Sequence, residues 1–211
     1  YTGEDTLSLH DALPISAQKL PFTDKAKADN DADRKFMADN HFIMGEGHVK
    51  CWPPGMPGAM TSPYGMHFMQ SKQRLAIMPE VSTVNRMVYL DQKTQNMDTI
   101  QPSWNGHSIG RFEGDVLVID TVGLNPDTTI DSLGTPHSEA MHIVERIRRT
   151  GPDTLEDEMT ISDPKAFTRP WIMRSRFKAL PGGIDEFFCE NDRNTPDEKG
   201  VTGVALPNAT K

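Results

Sequence analysis

From residue 66 onward, apolar and polar side chains alternate with a period of two. The segments 66–71, 74–79, 83–91, 108–112, 115–122, 141–149, 154–162, 170–178 and 184–190 are short, rich in β-formers and separated by brief breaks. Glu113-Gly114, Gly151-Pro152-Asp153 and Pro181-Gly182-Gly183 supply turn chemistry between them. Eight or nine sequential strands with hairpin-length links and no intervening helix predict a mainly β protein. The expected form is an antiparallel up-and-down barrel or a strongly curled sheet around an interior.

Upstream the pattern differs. In FTDKAKADNDADRKFMAD (22–39), Thr23 is a helix N-cap, and Ala28, Ala32 and Phe36 form one narrow apolar stripe. This predicts one amphipathic helix packed outside the barrel. CWPPGMPGAMTSPYG (51–65) holds four prolines and three glycines. It reads as an irregular connector pinned by Trp52, Met56, Met60 and Tyr64. The chain thus divides into a leader (1–16), a helical arm and connector (17–65), a β-barrel domain (66–194) and a loose polar tail (195–211).

The alternation also sorts polar residues between the two faces of each strand. Asp157 falls on the face of Leu155, Met159 and Ile161, and Ser175 on that of Trp171, Met173 and Phe177. Glu145 lies between Ile143 and Ile147, Arg86 shares a face with Val84 and Val88, and Glu190 follows Phe188. Buried carboxylates need partners or a raised pKa. One reading is an internal ion pair, Arg86 with Glu145. The other is a carboxylate poised for acid–base work in a cavity.

Composition narrows the function classes. The 211 residues carry a net charge of −8, with 36% apolar and 25% charged residues and no basic stripe. Nucleic acid and anionic membranes are poor partners for such a surface, and no apolar run is long enough to span a bilayer. Cys51 and Cys189 form no CxxC pair; they are either buried free thiols or one long-range disulfide.

The densest polar stretches are WNGHSIGRFEGD (104–115) and PHSEAMHIVER (136–146). His107 or His142, oriented by Asp120 and assisted by Glu145, fits a general base for a lyase, isomerase or hydrolase. Trp104, Trp171, Tyr64, Arg86, Glu190 and Arg111 are candidate ligand contacts, with Arg111 suited to an acidic group. No cofactor is called for. The alternative is a divalent metal on His107, His137 and His142 with Glu139 or Glu145. Copper on His67 and its flanking Met56, Met60, Met66 and Met69 is a weaker idea, because methionine is common core filler. Nucleophile-elbow, phosphate-loop and dinucleotide motifs are missing. The expected partner is a small-molecule ligand or substrate. A non-catalytic carrier and a structural envelope module are the competing classes.

Four stretches, CWPPGMPGAMTSPYGMHFMQ, PSWNGHSIGRFEGDVLVIDTVGL, PHSEAMHIVERIRR and TISDPKAFTRPW, followed by EFFCEND, resemble a widespread family of exported bacterial proteins. The family pattern is similar to CxPPGxP, SxGRWEGDTLVV, HxVER, TxDPxxYTxPW and CxEN. The likeness runs from about Phe22 to Asn194 and departs at Phe112 and Val116, where Trp and Thr are usual. The resemblance implies a periplasmic or extracellular protein, a Cys51–Cys189 bridge and, by analogy, a calycin- or lipocalin-like barrel; it says almost nothing of activity. Residues 1–16 (YTGEDTLSLHDALPIS) have no signal-peptide pattern and resemble translated sequencing-adapter read-through. They are expected to stand outside the fold, in place of an export signal.

Overall fold

The computed structural model describes residues 4–12, 19–40, 42–43, 52–82, 84–131, 133–185 and 204–205. In chain order these form β1 (Glu4–Ala12), α1 (Asp24–Asn40), β2 (Phe42–Ile43), β3 (Gly65–Gln70), β4 (Arg74–Pro79), β5 (Arg86–Tyr89) and β6 (His107–Glu113). Then follow β7 (Val116–Val122), β8 (His142–Gly151), β9 (Thr154–Ser162), β10 (Trp171–Ala179) and β11 (Val204–Ala205). The protein is mainly β. Strands β3 to β10 make one strongly curled sheet, and β1 lies between its two edges to give a closed barrel.

The two-residue rhythm decides the core. On β9 and β10, Asp157, Met159, Ile161, Trp171, Met173, Ser175 and Phe177 are buried, while alternate residues on β10 face outward. The apolar ones join Ile119, Ile143, Ile147, Val88, Leu75 and Ile77 in a single cluster. The turn between β6 and β7 falls on Gly114 and Asp115, one residue later than the sequence suggests, with Gly114 at φ 65°. A left-handed residue there matches the twist of a tight hairpin.

Two features depart from the expected up-and-down order. β5 pairs with β6 in parallel, Val88 opposite Ser108 and Tyr89 opposite Ile109, whereas the other barrel pairings are antiparallel. Parity requires this: an odd number of strands cannot close with antiparallel neighbours throughout. A parallel pair also needs a long return connection. Residues 90–106 provide it, running back over the outside of the sheet.

The second departure is β1. Residues 4–12, expected outside the fold, pair with β3 through Leu7 opposite Met66 and with β10 through Leu7 opposite Ala179. The physical reason is the seam itself. Two sheet edges with unpaired backbone groups accept any strand-compatible segment, and Leu7 is 2% exposed once it is there.

Helix α1 is capped as expected, with Ala26 N–H donating to Thr23 Oγ1 at 3.3 Å. Its inner face is not the alanine stripe: Ala28, Ala32 and Phe36 are exposed, and Ala26, Asn30 and Met37 are buried. Arg34, bonded to Asn30 and to Thr135 of the barrel-side loop, sets that orientation. Phe22 anchors the arm against Phe167, ring centroids 5.4 Å apart. In the connector, Met56 and Met60 are fully buried, whereas Trp52 and Tyr64 stay largely exposed. In the tail, Val204 and Ala205 pair with Ile43 and Phe42. The expected strand 184–190 falls almost wholly outside the described residues. So do Glu190, Cys51 and Cys189.

Candidate functional site

Outward-facing side chains at one end of β5, β6, β7 and β8 meet the returning segment 90–106. Val88 and Ser108 point into the barrel, so their neighbours Tyr89 and His107 point out. Their rings stack with centroids 5.0 Å apart and planes 21° from parallel. His107 Nε2 lies 2.9 Å from Gln92 Oε1. An amide oxygen only accepts, so the imidazole proton is on Nε2 and the basic nitrogen is Nδ1. Partial burial holds the His107 pKa below the ordinary imidazole value, which favours the neutral ring.

These groups line a cavity of about 670 Å³ between the sheet and the returning segment. Its walls include Asn85, Met87, Tyr89, Gln92, Gln95, Asn96, Gln101, Trp104, Asn105 and His107. None of the sixteen described lining residues is Asp, Glu, Lys or Arg. Gln95 Oε1 and Asn105 Oδ1 are buried acceptors without a hydrogen-bond partner. Trp104 is braced by Trp52, ring centroids 5.6 Å apart, and by Met56 N–H donating to the Trp104 carbonyl at 3.0 Å. Gly106, at φ 65°, permits the tight approach of this segment to β7: a Cβ there would stand 2.7 Å from the Val122 carbonyl oxygen.

Beside the cavity, His142 Nε2 donates to Asp120 Oδ1 at 3.1 Å, and the same oxygen accepts from Gln95 Nε2 at 2.7 Å. The pairing of His142 with Asp120 expected from the sequence is therefore present in the geometry, and Gln95 ties it to the cavity wall. His107 takes Gln92 instead of Asp120.

The remaining candidates lie elsewhere. Glu145 is on the inner face of β8, fully buried and joined to Arg86, so it does not meet the histidines on the outer face. That corrects the expected acid–base group. Alternation puts Glu145 and His142 on opposite sides of one strand, since they are an odd number of residues apart. Arg86 is likewise committed inside the barrel and takes no part in the cavity. It donates through Nη1 to Glu145 Oε1 at 2.8 Å and through Nη2 to Thr121 Oγ1 at 2.9 Å, with further bonds to Ser108.

The three histidines do not converge on a metal. His137 is buried in the loop after β7, donating from Nδ1 to the Ser138 carbonyl at 2.9 Å, with Nε2 at 2.6 Å from Thr128 Oγ1. Burial lowers its pKa, against the opposing pull of the Ser138 bond and the Asp163 charge. Glu139 is tied to Lys165. Among the described residues no three His, Cys, Asp or Glu side chains are grouped to hold an ion. Trp171 packs inside the barrel, edge-on to Phe167 at 5.6 Å. Arg111 is exposed and bonded to Glu113 at 2.7 Å, and Tyr64 is exposed.

Tyr89, Gln92, Gln95 and Asn105 were missed by sequence reasoning. The available signal was the run of amides in QKTQNMDTIQPSWN (92–105), a long connection without secondary structure between two strands. No described helix is long and apolar enough to cross a membrane.

Fold and site together define a closed β-barrel that carries a neutral, amide- and aromatic-lined cavity on its flank. Compared with known proteins, the chain matches no protein-family model, and no curated protein matches its sequence.

Proposed function

We propose that the flank cavity binds a small, neutral, polyhydroxylated molecule of the saccharide class, with His107 as the acid–base group beside it. The observation that carries this reading is the lining: amides, hydroxyls and aromatic rings around about 670 Å³, with no fixed charge among the described walls. Amide side chains offer both donors and acceptors to hydroxyl groups. Trp104 supplies an apolar ring face of the kind a sugar's C–H face covers, while the Tyr89 ring is taken up by His107 and the Arg74 guanidinium. None of the described lining side chains offers a charge to a carboxylate, phosphate or ammonium ligand; the nearest charges, Arg74 over Tyr89 and Asp120 behind Gln95, are already paired with Asp91 and His142. The unpartnered Gln95 Oε1 and Asn105 Oδ1 call for hydroxyl donors.

His107 gives the site a proton-transfer group, since a neutral imidazole with its tautomer fixed by Gln92 presents Nδ1 as a base. The class of chemistry this supports is proton transfer on a bound neutral substrate, as in an isomerase or lyase. The test is calorimetric titration with neutral mono- and disaccharides and with the matching uronic acids, followed by product analysis of incubated sugars. Binding of neutral sugars, weakened at least tenfold in Trp104→Ala, supports the proposal. Binding of the uronic acids alone, or no difference in Trp104→Ala, refutes it.

A further inference from the structure

The barrel interior contains a second polar group that the flank cavity does not use. Asp157 is fully buried on β9, and neither carboxylate oxygen has a hydrogen-bond partner. Ser175, opposite it on β10, is also buried, with an unpartnered Oγ. The nearby cation cannot serve them: Arg86 spends its guanidinium on Glu145, Ser108 and Thr121. The interior thus holds two carboxylates, Glu145 and Asp157, for one guanidinium. Glu158, the remaining acidic group acting on Asp157, adds repulsion from the outer face of β9.

Asp157 lies one inward-facing position deeper on β9 than Leu155, which lines a recess at one end of the barrel. The recess, of about 200 Å³, opens at the end carrying the β6–β7 and β8–β9 turns, walled by Leu7, Phe68, Leu75, Leu117, Ile147 and Leu155, with Gln70 and the exposed Phe112, Asp115, Arg148 and Arg149 completing its lining. Leu155 precedes Asp157 by two positions on the same strand, and Ile147 lies opposite Asp157 on β8. The carboxylate is therefore about 7 Å along the strand from the apolar wall. An apolar cavity of about 150 Å³ holds a benzene ring, so this recess suits a six-carbon chain or a phenyl group.

We propose that the barrel interior is a separate binding site for an apolar amine, its hydrocarbon in the recess and its ammonium on Asp157 and Ser175. Three unpartnered acceptor atoms, Asp157 Oδ1 and Oδ2 and Ser175 Oγ, match the three N–H donors of a primary ammonium. Free Asp157 keeps its proton in the buried site, so the ammonium takes that proton's place and binding releases it to solvent. An alcohol of the same length fills the recess equally well but brings no charge. A carboxylic acid brings the wrong one.

The experiment is titration of the whole chain at neutral pH with n-hexylamine, n-hexanol and hexanoate, read by calorimetry and by NMR of the Ile147 and Leu155 methyls. Hexylamine should bind at least tenfold more tightly than hexanol and shift those methyls, with hexanoate weakest. Asp157→Asn should remove the amine's advantage and leave hexanol binding unchanged. Ile147→Trp, which fills the recess, should abolish both. Equal affinities for amine and alcohol in the wild type overturn the proposal without reference to any variant. An amine preference that survives in folded Asp157→Asn overturns it as well.

Discussion

Arg86 and Glu145 form a two-pronged ion pair inside the barrel, with Nη1 2.8 Å from Oε1 and Nη2 bonded to Oε2, the two side chains 1% and 0% exposed. They come from β5 and β8 and meet across the interior, with Ser108 and Thr121 of the intervening strands accepting the remaining guanidinium donors. A buried pair of this kind contributes little over an apolar replacement, but losing one partner leaves an uncompensated charge. Arg86→Met is therefore expected to cost about 3–5 kcal/mol in urea unfolding. Arg86→Met combined with Glu145→Leu should recover most of that loss. Equal destabilisation in the single and double variants would mean that the bonds to Ser108 and Thr121 matter more than the ion pair.

Asp157 makes stability depend on pH in the direction opposite to a carboxylate whose pKa a salt bridge depresses. Burial, then the Glu145 charge, hold its pKa well above the ordinary value against the attraction of Arg86, with a smaller push from Glu158. Below the unfolded value of about 4, the group is protonated in both states and contributes no pH dependence. As pH rises above that value, the unfolded chain releases the proton while the folded barrel retains it. Stability then falls, by at most about 1.4 kcal/mol per pH unit, until the folded group itself ionises. Asp157→Asn should therefore be more stable than the wild type, by a margin that widens from pH 4 upward in a series of urea titrations. A margin that is flat across that range would remove this account. The same substitution is the one expected to abolish amine preference, so a binding group here is retained at a cost in stability.

His107 should be neutral and fixed in one tautomer. Its pKa is lowered by burial, so it gains its proton only at a pH below the usual imidazole midpoint of about 6.5. Nitrogen-15 NMR of the imidazoles should show His107 protonated on Nε2 at neutral pH, with a depressed titration midpoint. Gln92→Leu should remove the preference for that tautomer without unfolding the barrel. Any turnover that uses His107 as base should accordingly persist to lower pH than a free imidazole would allow.

The legible part of this molecule was the part governed by alternation. The strands from β3 to β10 end no more than three residues from their expected ends, β4 and β9 right at them, and Arg86, Glu145, Asp157 and Ser175 point inward as the two-residue rhythm requires. Alternation, however, fixes only which face a residue occupies. It says nothing of which strand lies beside which, so the parallel β5–β6 step and the outward return of 90–106 were not visible. With them went the position of the cavity, on the flank and not within the barrel. Alternation itself puts Glu145 inward and His142 on the opposite face of the same strand, so grouping the two as acid–base residues went against that rhythm. The α1 stripe failed for a different reason: alanines define a face weakly, and the long reach of Arg34 to Thr135 overrode it.

Gly106 links backbone freedom to the cavity. At φ 65°, with the Val122 carbonyl 2.7 Å from where a Cβ would sit, alanine there is both strained and obstructed. Gly106→Ala should destabilise the protein by about 1–3 kcal/mol. It should also displace its neighbour His107, which a changed His107 imidazole spectrum would reveal before any binding assay is run. A native spectrum in that variant would show that β6 can absorb the shift, and the cavity wall would then be less constrained than its geometry implies.

The closing strand is the most direct point at which the barrel can be challenged. β1 supplies ladder bonds to both β3 and β10, and its Leu7 packs against the core and walls the interior recess. Burying one leucine is worth about 1.5–3 kcal/mol. Removing the strand also leaves two long edges unpaired, each a template for another chain. A chain lacking residues 1–12 should exchange amide hydrogens faster across Gly65–Gln70 and Trp171–Ala179 and associate in size-exclusion chromatography. It should lose affinity for n-hexylamine while its flank cavity, built from β5, the returning segment 90–106 and the start of β6, keeps its own ligand. Unchanged protection on both edges would mean that the barrel closes without β1, and the recess would then have a different wall from the one Leu7 provides.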